Sequence, residues 1–191
     1  MPSRIRFPAA RDVFEVFPDL GHFMPAPTDE TPSLEFAWRL LNSQCPAASI
    51  LYLAHVLPRR EAVWWARQCV GTVLGANAED DALRAAEAWV RQPDEDNRRA
   101  ALGIGNRAER SKPTTWLALA AGQSGGSLTA PDQRPAPPQP SACAGAANTA
   151  IILAVVAQEP NAILPWIRAC VEAGTRFAEG GDAKVVPPAR V

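Results

Sequence analysis

The sequence predicts an all-α protein, a compact single-domain bundle of about seven or eight helices with a proline-rich crossover. Apolar residues recur at i, i+3, i+4 and i+7 in one segment after another, which is the spacing of an amphipathic helix. Proline and glycine separate these segments and mark where helices start and stop. At 191 residues, the chain is long enough to bury a hydrophobic core of its own.

The main helices follow one another with short connections, which favours antiparallel packing of neighbours. Several begin at a proline, as at Pro46, Pro58 and Pro113, because the missing N–H of proline costs nothing in the first turn. Ser141 is expected to cap the helix that follows the crossover. The predicted main helices span about residues 33–42, 46–57, 58–74, 79–91, 94–109, 113–122, 141–159 and 161–179.

We place the helical domain at residues 32–181. Three segments of the chain look less regular than its helices. Residues 1–31 hold one short helical candidate, about 10–17, and several prolines, so they are expected to form a loosely ordered N-terminal arm. Residues 122–140 are rich in glycine and proline. Proline favours polyproline II geometry of about 3.1 Å per residue, so we expect an extended crossover over one face of the domain. Residues 182–191 are expected to be a flexible C-terminal tail.

Composition and charge indicate which classes of partner and which cellular compartment to expect. Lys plus Arg number 19 and Asp plus Glu number 20, for a net charge of −1, so no overall field favours nucleic acid or an anionic membrane. The most apolar run, 142–157, is shorter than the roughly 20 residues of a membrane span and is interpreted as a buried core helix. The N-terminus does not resemble a secretory signal. Four scattered cysteines favour a reducing, cytoplasmic location.

Two adjacent tryptophans, Trp64 and Trp65, cannot lie on the same face of one helix. A stripe of apolar side chains includes Trp65, which leaves Trp64 on the other side among polar residues. Trp64 therefore needs cover from another element or from a partner. The other large indoles are expected mostly in the core, namely Trp38, Trp65, Trp89, Trp116 and Trp166.

Arginines near Trp64 leave two interpretations open. In the first, an arginine stacks on Trp64 within the same domain, a cation–π contact worth about 0.5 to 1 kcal/mol at an exposed site. In the second, tryptophan and arginine form an interface hot spot, where these residue types are enriched. Together with the glycine-rich start of the crossover, the second interpretation gives a candidate interface of Arg59, Arg60, Trp64, Arg67, Gln68, Gln123, Ser124, Gly125, Gly126 and Ser127.

Two short motifs match enzyme patterns in the wrong context. Residues 122–126 fit G-x-S-x-G, the turn that exposes a hydrolase serine, but a helix precedes them and both histidines, His22 and His55, lie upstream. A tight turn at a helix end is favoured. Residues 103–108 fit G-x-G-x-x-A, yet the dinucleotide fingerprint needs a strand before it. The glycines there are interpreted as thinning a helix for close packing.

No residue spacing indicates a metal or cofactor site. The chain has no C-x-x-C or H-E-x-x-H pattern, so we expect neither a metal nor a cofactor. A catalytic pair of His55 with Cys69 stays open, although a histidine between apolar helices is more often structural. The residues therefore favour a protein that is not an enzyme.

Several separated strings, in this order, resemble an uncharacterised bacterial family of helical proteins, a domain of unknown function. The resemblance covers about residues 45–180 and implies no activity or catalytic residues. It does imply an accessory role in type VI secretion gene clusters. Gln123 and the pair Arg67 and Gln68 depart from the expected family pattern, so a surface built there is expected to differ. The strings are LPRREAVWWA (57–66), AEAWV (86–90), TWLALAA (115–121), SGGSL (124–128) and the proline-rich crossover.

Three functional hypotheses follow. The leading one is a non-enzymatic adaptor or chaperone that holds a protein partner, a type VI secretion effector or component, through the Trp64 face or the crossover. The second is a small-molecule-binding or enzymatic domain with a pocket between helices, lined by Trp116, Cys69 and His55. The third is an immunity protein that blocks a toxin. Such proteins often carry a strongly charged binding face, which the near-neutral balance of acidic and basic residues does not indicate. Neither nucleic acid nor a membrane is expected as a partner, and the oligomeric state stays open.

Overall fold

The protein is all-α, as the sequence predicts. The computed structural model describes residues 3–75, 79–130 and 132–189. Within these ranges, the only pairing of extended backbone is an isolated antiparallel bridge between Ala9 and Pro32. No helix in the described ranges is both long and apolar enough to cross a membrane. The α-helices there are α1 (Ala10–Val16), α2 (Ser33–Leu41), α3 (Ala48–Val56), α4 (Arg59–Leu74), α5 (Asp81–Arg91), α6 (Glu95–Arg107), α7 (Pro113–Gly122), α8 (Ala142–Val156) and α9 (Ile163–Ala178).

Acidic side chains cap two of these helices where the sequence placed their starts. The Leu83 N–H donates to Asp80 Oδ1 at 2.9 Å, and the Asn97 N–H donates to Asp94 Oδ1 at 2.8 Å. Ser141 does not cap α8 with its side chain, contrary to the prediction, because its backbone is already in the helical region at φ −87° and ψ −5°. A capping side chain needs an extended backbone at that position.

The core is built around α4, α7 and α8. Helix α8 packs against α3, α4 and α7, and its apolar sequence is explained by these neighbours on several sides. In α4, the Trp65 side chain is fully buried and its Nε1 donates to the Cys170 carbonyl of α9 at 2.9 Å. The close approach depends on Gly174, since a Cβ there would lie 2.8 Å from the Trp65 ring.

The N-terminal segment is packed against the domain, which differs from the expected loosely ordered arm at residues 1–31. Val13, Phe17, Leu20 and Met24 are all buried in the core. Phe17 meets His55 edge to face with ring centroids 4.7 Å apart. The apolar and aromatic side chains of this segment bury enough surface to hold it, although its prolines suggested a loose chain.

The crossover is folded back on itself and is not extended. The Leu128 N–H donates to the Ala136 carbonyl at 2.8 Å, and the Ala136 N–H donates to Ser127 Oγ at 3.0 Å. These bonds close a loop across the segment. The expected flexible tail also differs in part, because Ala183 and Val185 are buried in the core, while residues 190 and 191 lie outside the described residues.

The tryptophans divide between core and boundary. Trp65 and Trp89 are buried, at 0% and 6% exposure. Three others expected in the core are half-buried at its edge, because an indole is large and is rarely enclosed completely: Trp38, Trp116 and Trp166.

We predict that Gly174→Ala destabilises the fold by about 1–3 kcal/mol, because the added Cβ collides with the Trp65 ring. The matched control is Gly145→Ala in α8, whose Cβ would meet nothing within 4 Å. This control should gain about 0.5–1 kcal/mol from helix propensity. Urea denaturation of both variants measures the difference, and equal stability of the two would contradict the packing described.

Candidate functional site

The candidate interface residues fall into two separate places. Arg60, Trp64 and Gln68 line a surface groove, and Arg67 lies beside it. The second set lies at or against the loop after α7 and comprises Arg59, Gln123, Ser124, Gly125, Gly126 and Ser127.

The first place, which we call the Trp64 groove, consists of two adjoining depressions of about 310 and 490 Å³. They share Arg4, Trp64 and Phe177, so Trp64 contributes to both. The Trp64 side chain is half-buried, because the burial of Trp65 turns this side of α4 to the surface. The lining residues of the groove are Arg4, Arg60, Glu61, Trp64, Gln68, Val90, Arg91, Phe177, Gly180, Gly181, Asp182, Ala183 and Lys184.

Arginines hold the walls of this groove in place. Arg4 Nη1 donates to the Phe177 carbonyl at 2.6 Å, and its guanidinium lies 4.3 Å from the centroid of the Phe177 ring. Arg60 Nε donates to the Val90 carbonyl at 2.7 Å and so joins α4 to the end of α5. These contacts hold Arg4 and Arg60 in place on either side of the apolar surface of the groove.

Arg67 makes a long contact with the Trp64 ring. Its Cζ lies 6.0 Å from the ring centroid, at the outer limit of a cation–π contact. Arg67 Nη2 also pairs with Glu87 Oε2 of α5 at 3.0 Å. Partial burial raises the pKa of Glu87, but hydrogen bonds from Arg91 and the charge of Arg67 outweigh it and leave the pKa below its ordinary value. Arg67 is therefore held against Trp64 within the domain, while Trp64 also lines both depressions of the groove.

The second place is a loop, described for residues 123–130 and 132–141, and three arginines donate hydrogen bonds to its carbonyl oxygens. We call it the arginine-anchored loop. Arg98 is buried at 4% exposure and donates from Nη1 to the Gly122 carbonyl at 2.6 Å and from Nη2 to the Ser127 carbonyl at 3.0 Å. Arg59 Nη1 donates to the Ser124 carbonyl at 2.7 Å, and Arg99 Nη1 donates to the Thr129 carbonyl at 2.9 Å.

Glycine is required where the loop crosses Arg98. Gly126 has φ +62°, which disfavours other residues, and a Cβ there would lie 2.8 Å from Arg98 Nη2. Sequence reasoning missed Arg98 altogether. The available signal was its position three and four residues before Ala101 and Leu102, which places Arg98 on the buried stripe of α6.

Ser124 lies in a turn at the end of α7. Its N–H donates to the Ala121 carbonyl at 3.2 Å, and its residue is 8% exposed. Within the described ranges its hydroxyl has no hydrogen bond to a histidine, which a serine nucleophile would need. This geometry agrees with the interpretation of residues 122–126 as a tight turn.

The other glycine motif, residues 103–108, lies in α6 except for its last residue, Ala108, which follows the end of the helix. Gly105 lets α7 approach closely, because a Cβ there would lie 2.9 Å from the Leu119 side chain. Gly103 meets only the flexible end of Arg107 at 3.4 Å. The packing interpretation is thus confirmed for Gly105, and the segment is helical where a dinucleotide site needs a strand and turn.

His55 and Cys69 make no hydrogen bond to each other. His55 Nδ1 lies 2.8 Å from the Leu51 carbonyl, and burial lowers the pKa of His55. Cys69 is buried against Cys170, and burial raises its pKa well above the ordinary value, while burial raises the pKa of Cys143 to about 12. Protonated thiols are poor nucleophiles. In the described residues no group of three or more His, Cys, Asp or Glu side chains is placed to hold a metal ion.

The structure does not bring Trp116, Cys69 and His55 to one pocket. Trp116 Nε1 donates to the Arg110 carbonyl at 2.8 Å, and Cys69 is enclosed in the core. His55 alone lines a cleft of about 550 Å³, which we call the His55 cleft. Its lining residues are Val16, Phe17, Pro18, Asp19, Leu20, Phe23, Leu51, His55, Gln139, Pro140, Ser141, Gly145, Asn148 and Thr149.

We predict that Arg98→Met releases the arginine-anchored loop and costs about 2–4 kcal/mol, since the buried Gly122 carbonyl and the partly buried Ser127 carbonyl lose their donor. Hydrogen exchange should accelerate at the amides of Leu128 and Ala136, and urea denaturation should show the lower stability. The control is Arg84→Met, because the Arg84 side chain is 61% exposed and pairs only locally with Asp81. Unchanged exchange in the loop of the Arg98 variant would be incompatible with this role.

We predict that stability falls as the pH drops below about 6.5, with a contribution from His55. Burial, and to a lesser extent the charge of Arg6, lowers the pKa of folded His55, so the unfolded chain takes up the proton first. The stabilisation is complete above the unfolded pKa and is lost as the pH falls through the folded pKa. The denaturation midpoint should vary less with pH in His55→Phe than in the wild-type chain. In the exposed control, His22→Phe, it should vary with pH as in the wild type. An unaltered pH dependence in the His55 variant would refute the assignment.

The comparisons with known proteins identify a family but no activity. The model of the family described as "Family of unknown function (DUF6931)" matches residues 36–178, which is more than half of the chain. This match includes α3 to α9 and most of α2, and therefore both the Trp64 face of α4 and the arginine-anchored loop. Neither a curated protein nor a solved structure matches the chain. The chain belongs to the DUF6931 family.

Proposed function

We propose that this chain is a non-enzymatic adaptor or chaperone that binds a protein partner in the Trp64 groove. The observation that carries the proposal is the half-buried Trp64 ring, which lies in both depressions of a groove walled by arginines. The resemblance to an uncharacterised bacterial family suggests the partner, an effector or component of a type VI secretion gene cluster. An immunity role, in which the partner is a toxin, stays a prediction.

The side chains of the groove are those that concentrate binding energy at protein interfaces. Tryptophan and arginine are enriched at hot spots, where an apolar anchor is surrounded by contacts that exclude water. Trp64 and Phe177 supply aromatic surface, and the contacts of Arg4 and Arg60 with backbone carbonyls hold the walls before a partner arrives. A prearranged surface loses less conformational entropy on binding, which favours affinity.

The charge of the groove favours an apolar segment that also carries acidic residues. Four cationic side chains, Arg4, Arg60, Arg91 and Lys184, line it, against the two acidic side chains Glu61 and Asp182. The whole chain has a net charge of −1, so the positive character is local to this surface. Complementary charge accelerates encounter and selects among partners.

The groove is a better candidate than the loop for this role. Residues 123–127 were expected to contact a partner, but the carbonyls of Ser124 and Ser127 already accept hydrogen bonds from Arg59 and Arg98. We therefore assign the arginine-anchored loop a supporting role.

The direct test compares two tryptophan variants in co-purification from the native cells. We expect a stoichiometric partner to co-elute with the wild-type chain and to be lost with Trp64→Ala. It should be retained with Trp116→Ala, a matched change at a half-buried indole outside the groove. Circular dichroism first confirms that both variants are folded. If Trp64→Ala keeps its partner at wild-type yield, the groove is not the binding surface.

The charge argument has a separate test on α5. Arg91→Glu reverses a charge at the groove, whereas Arg84→Glu reverses a charge outside it on the same helix; their side chains are 74% and 61% exposed. We expect the first variant to weaken partner binding by about five-fold or more at low salt, since rim charges act mainly through association rate. High salt should reduce the difference. Equal effects of the two reversals would argue against an acidic partner segment.

A further inference from the structure

The last part of the arginine-anchored loop, residues 134–140, has the sequence RPAPPQP. Residues 134–139 lie in neither a helix nor a strand. Each proline fixes its own φ near −65°, and each residue before a proline is restricted to an extended ψ of about 120–160°. Covalent geometry therefore favours polyproline II backbone in this part, which we call the proline leg, although the loop as a whole folds back on itself.

The three edges of the proline leg differ in exposure. A polyproline II helix has three residues per turn, so residues i, i+3 and i+6 lie along one edge. One such edge consists of Arg134, Pro137 and Pro140, and all three residues are exposed. Each of the other two edges includes a residue that is only partly exposed, Ala136 on one and Pro138 on the other. The edge that faces solvent along its whole length is the first, which we call the Arg134 edge.

Hydrogen bonds hold the inner side of the proline leg to the rest of the loop. The Ala136 N–H donates to Ser127 Oγ at 3.0 Å, and the Ala136 carbonyl accepts from the Leu128 N–H at 2.8 Å. The Arg134 carbonyl accepts from Thr129 Oγ1 at 2.9 Å. None of these bonds uses a side chain of the Arg134 edge. The leg is thus ordered before a partner arrives, which lowers the entropic cost of binding.

The guanidinium of Arg134 differs from those of the other arginines at this loop. Arg59, Arg98 and Arg99 donate to carbonyls of the loop. The Arg134 side chain is exposed and has no hydrogen-bond or ion-pair partner in the part of the chain that the structure describes. An unpaired cation beside exposed prolines is complementary to a surface that combines a carboxylate with apolar side chains.

The spacing of the Arg134 edge matches a known mode of peptide recognition. Polyproline II segments with two prolines three residues apart bind grooves lined by aromatic side chains, as in SH3 domains. In one class of these ligands an arginine lies three residues before the first of the two prolines and pairs with a carboxylate at the end of the groove. Arg134, Pro137 and Pro140 have this R-x-x-P-x-x-P spacing.

We propose that the Arg134 edge is a docking segment for a protein domain with an SH3-like groove, lined by aromatic side chains and with a carboxylate at one end. Pro137 and Pro140 pack against the aromatic side chains, and Arg134 pairs with the carboxylate. Residues 123–127 keep their supporting role. The Arg134 edge shares no residue with the Trp64 groove, so this proposal does not depend on the proposed function.

The test titrates an isotope-labelled SH3 domain that selects R-x-x-P-x-x-P ligands with the unlabelled full chain, followed by NMR. We expect saturable shift changes confined to the aromatic groove of the SH3 domain. Pro137→Ala should weaken binding about ten-fold or more, as expected for an anchor residue. The matched control, Pro135→Ala, changes an exposed proline on another edge of the same leg and should keep the affinity within about three-fold.

Three outcomes of this titration would overturn the proposal. They are the absence of saturable binding, shift changes outside the aromatic groove, and equal losses of affinity with Pro137→Ala and Pro135→Ala. Circular dichroism first confirms that the variants are folded, as expected for changes at exposed side chains.

Charge reversal tests the role of Arg134. Arg134→Glu should weaken binding of the SH3 domain about five-fold or more at low salt, because it places like charges together at the end of the groove. Arg84→Glu reverses an exposed charge on α5 and should keep the affinity within about two-fold. Equal effects of the two reversals would contradict the pairing of Arg134 with a carboxylate.

Discussion

The burial of Trp65 sets the orientation of α4, and much of the surface follows from it. The Trp65 indole is fully buried, its Nε1 donates to the Cys170 carbonyl, and Gly174 gives the ring room against α9. A rotation of α4 would break that hydrogen bond and drive the ring into α9. Because successive residues on a helix are about 100° apart, this orientation directs Trp64 away from the core. The groove is therefore a consequence of how the core is packed.

The same packing gives the loop after α7 its shape. Arg59, at the start of α4, and Arg98, at the buried side of α6, donate to carbonyls of the loop from two directions. Backbone carbonyls in an irregular segment need donors wherever water is excluded, and arginine supplies several from one side chain. A segment whose composition suggests an extended linker is thus part of the folded domain. The groove and the His55 cleft lie on a scaffold that is held together by such polar contacts as well as by its core.

The sequence predicted the helices well because their determinants are local. The acidic caps Asp80 and Asp94 and the periodic apolar positions identify starts and faces within a few residues. It predicted the exposed side of Trp64 for the same reason. The packed N-terminal segment, the buried Arg98 and the His55 cleft depend on contacts between residues far apart in the chain. Periodicity within one helix carries no information about such contacts, so those features could not be derived from the sequence.

Hydroxyl-radical footprinting of the native chain tests the central claim, that α4 places Trp65 in the core and leaves Trp64 at a partner-binding surface. Mass spectrometry of fragments that separate the two residues reports oxidation at each ring. We expect oxidation at Trp64 but not at Trp65 in the isolated chain, and protection of Trp64 when the co-purified partner is bound. Oxidation of both rings to a similar extent, or an unreactive Trp64 in the isolated chain, would contradict the account.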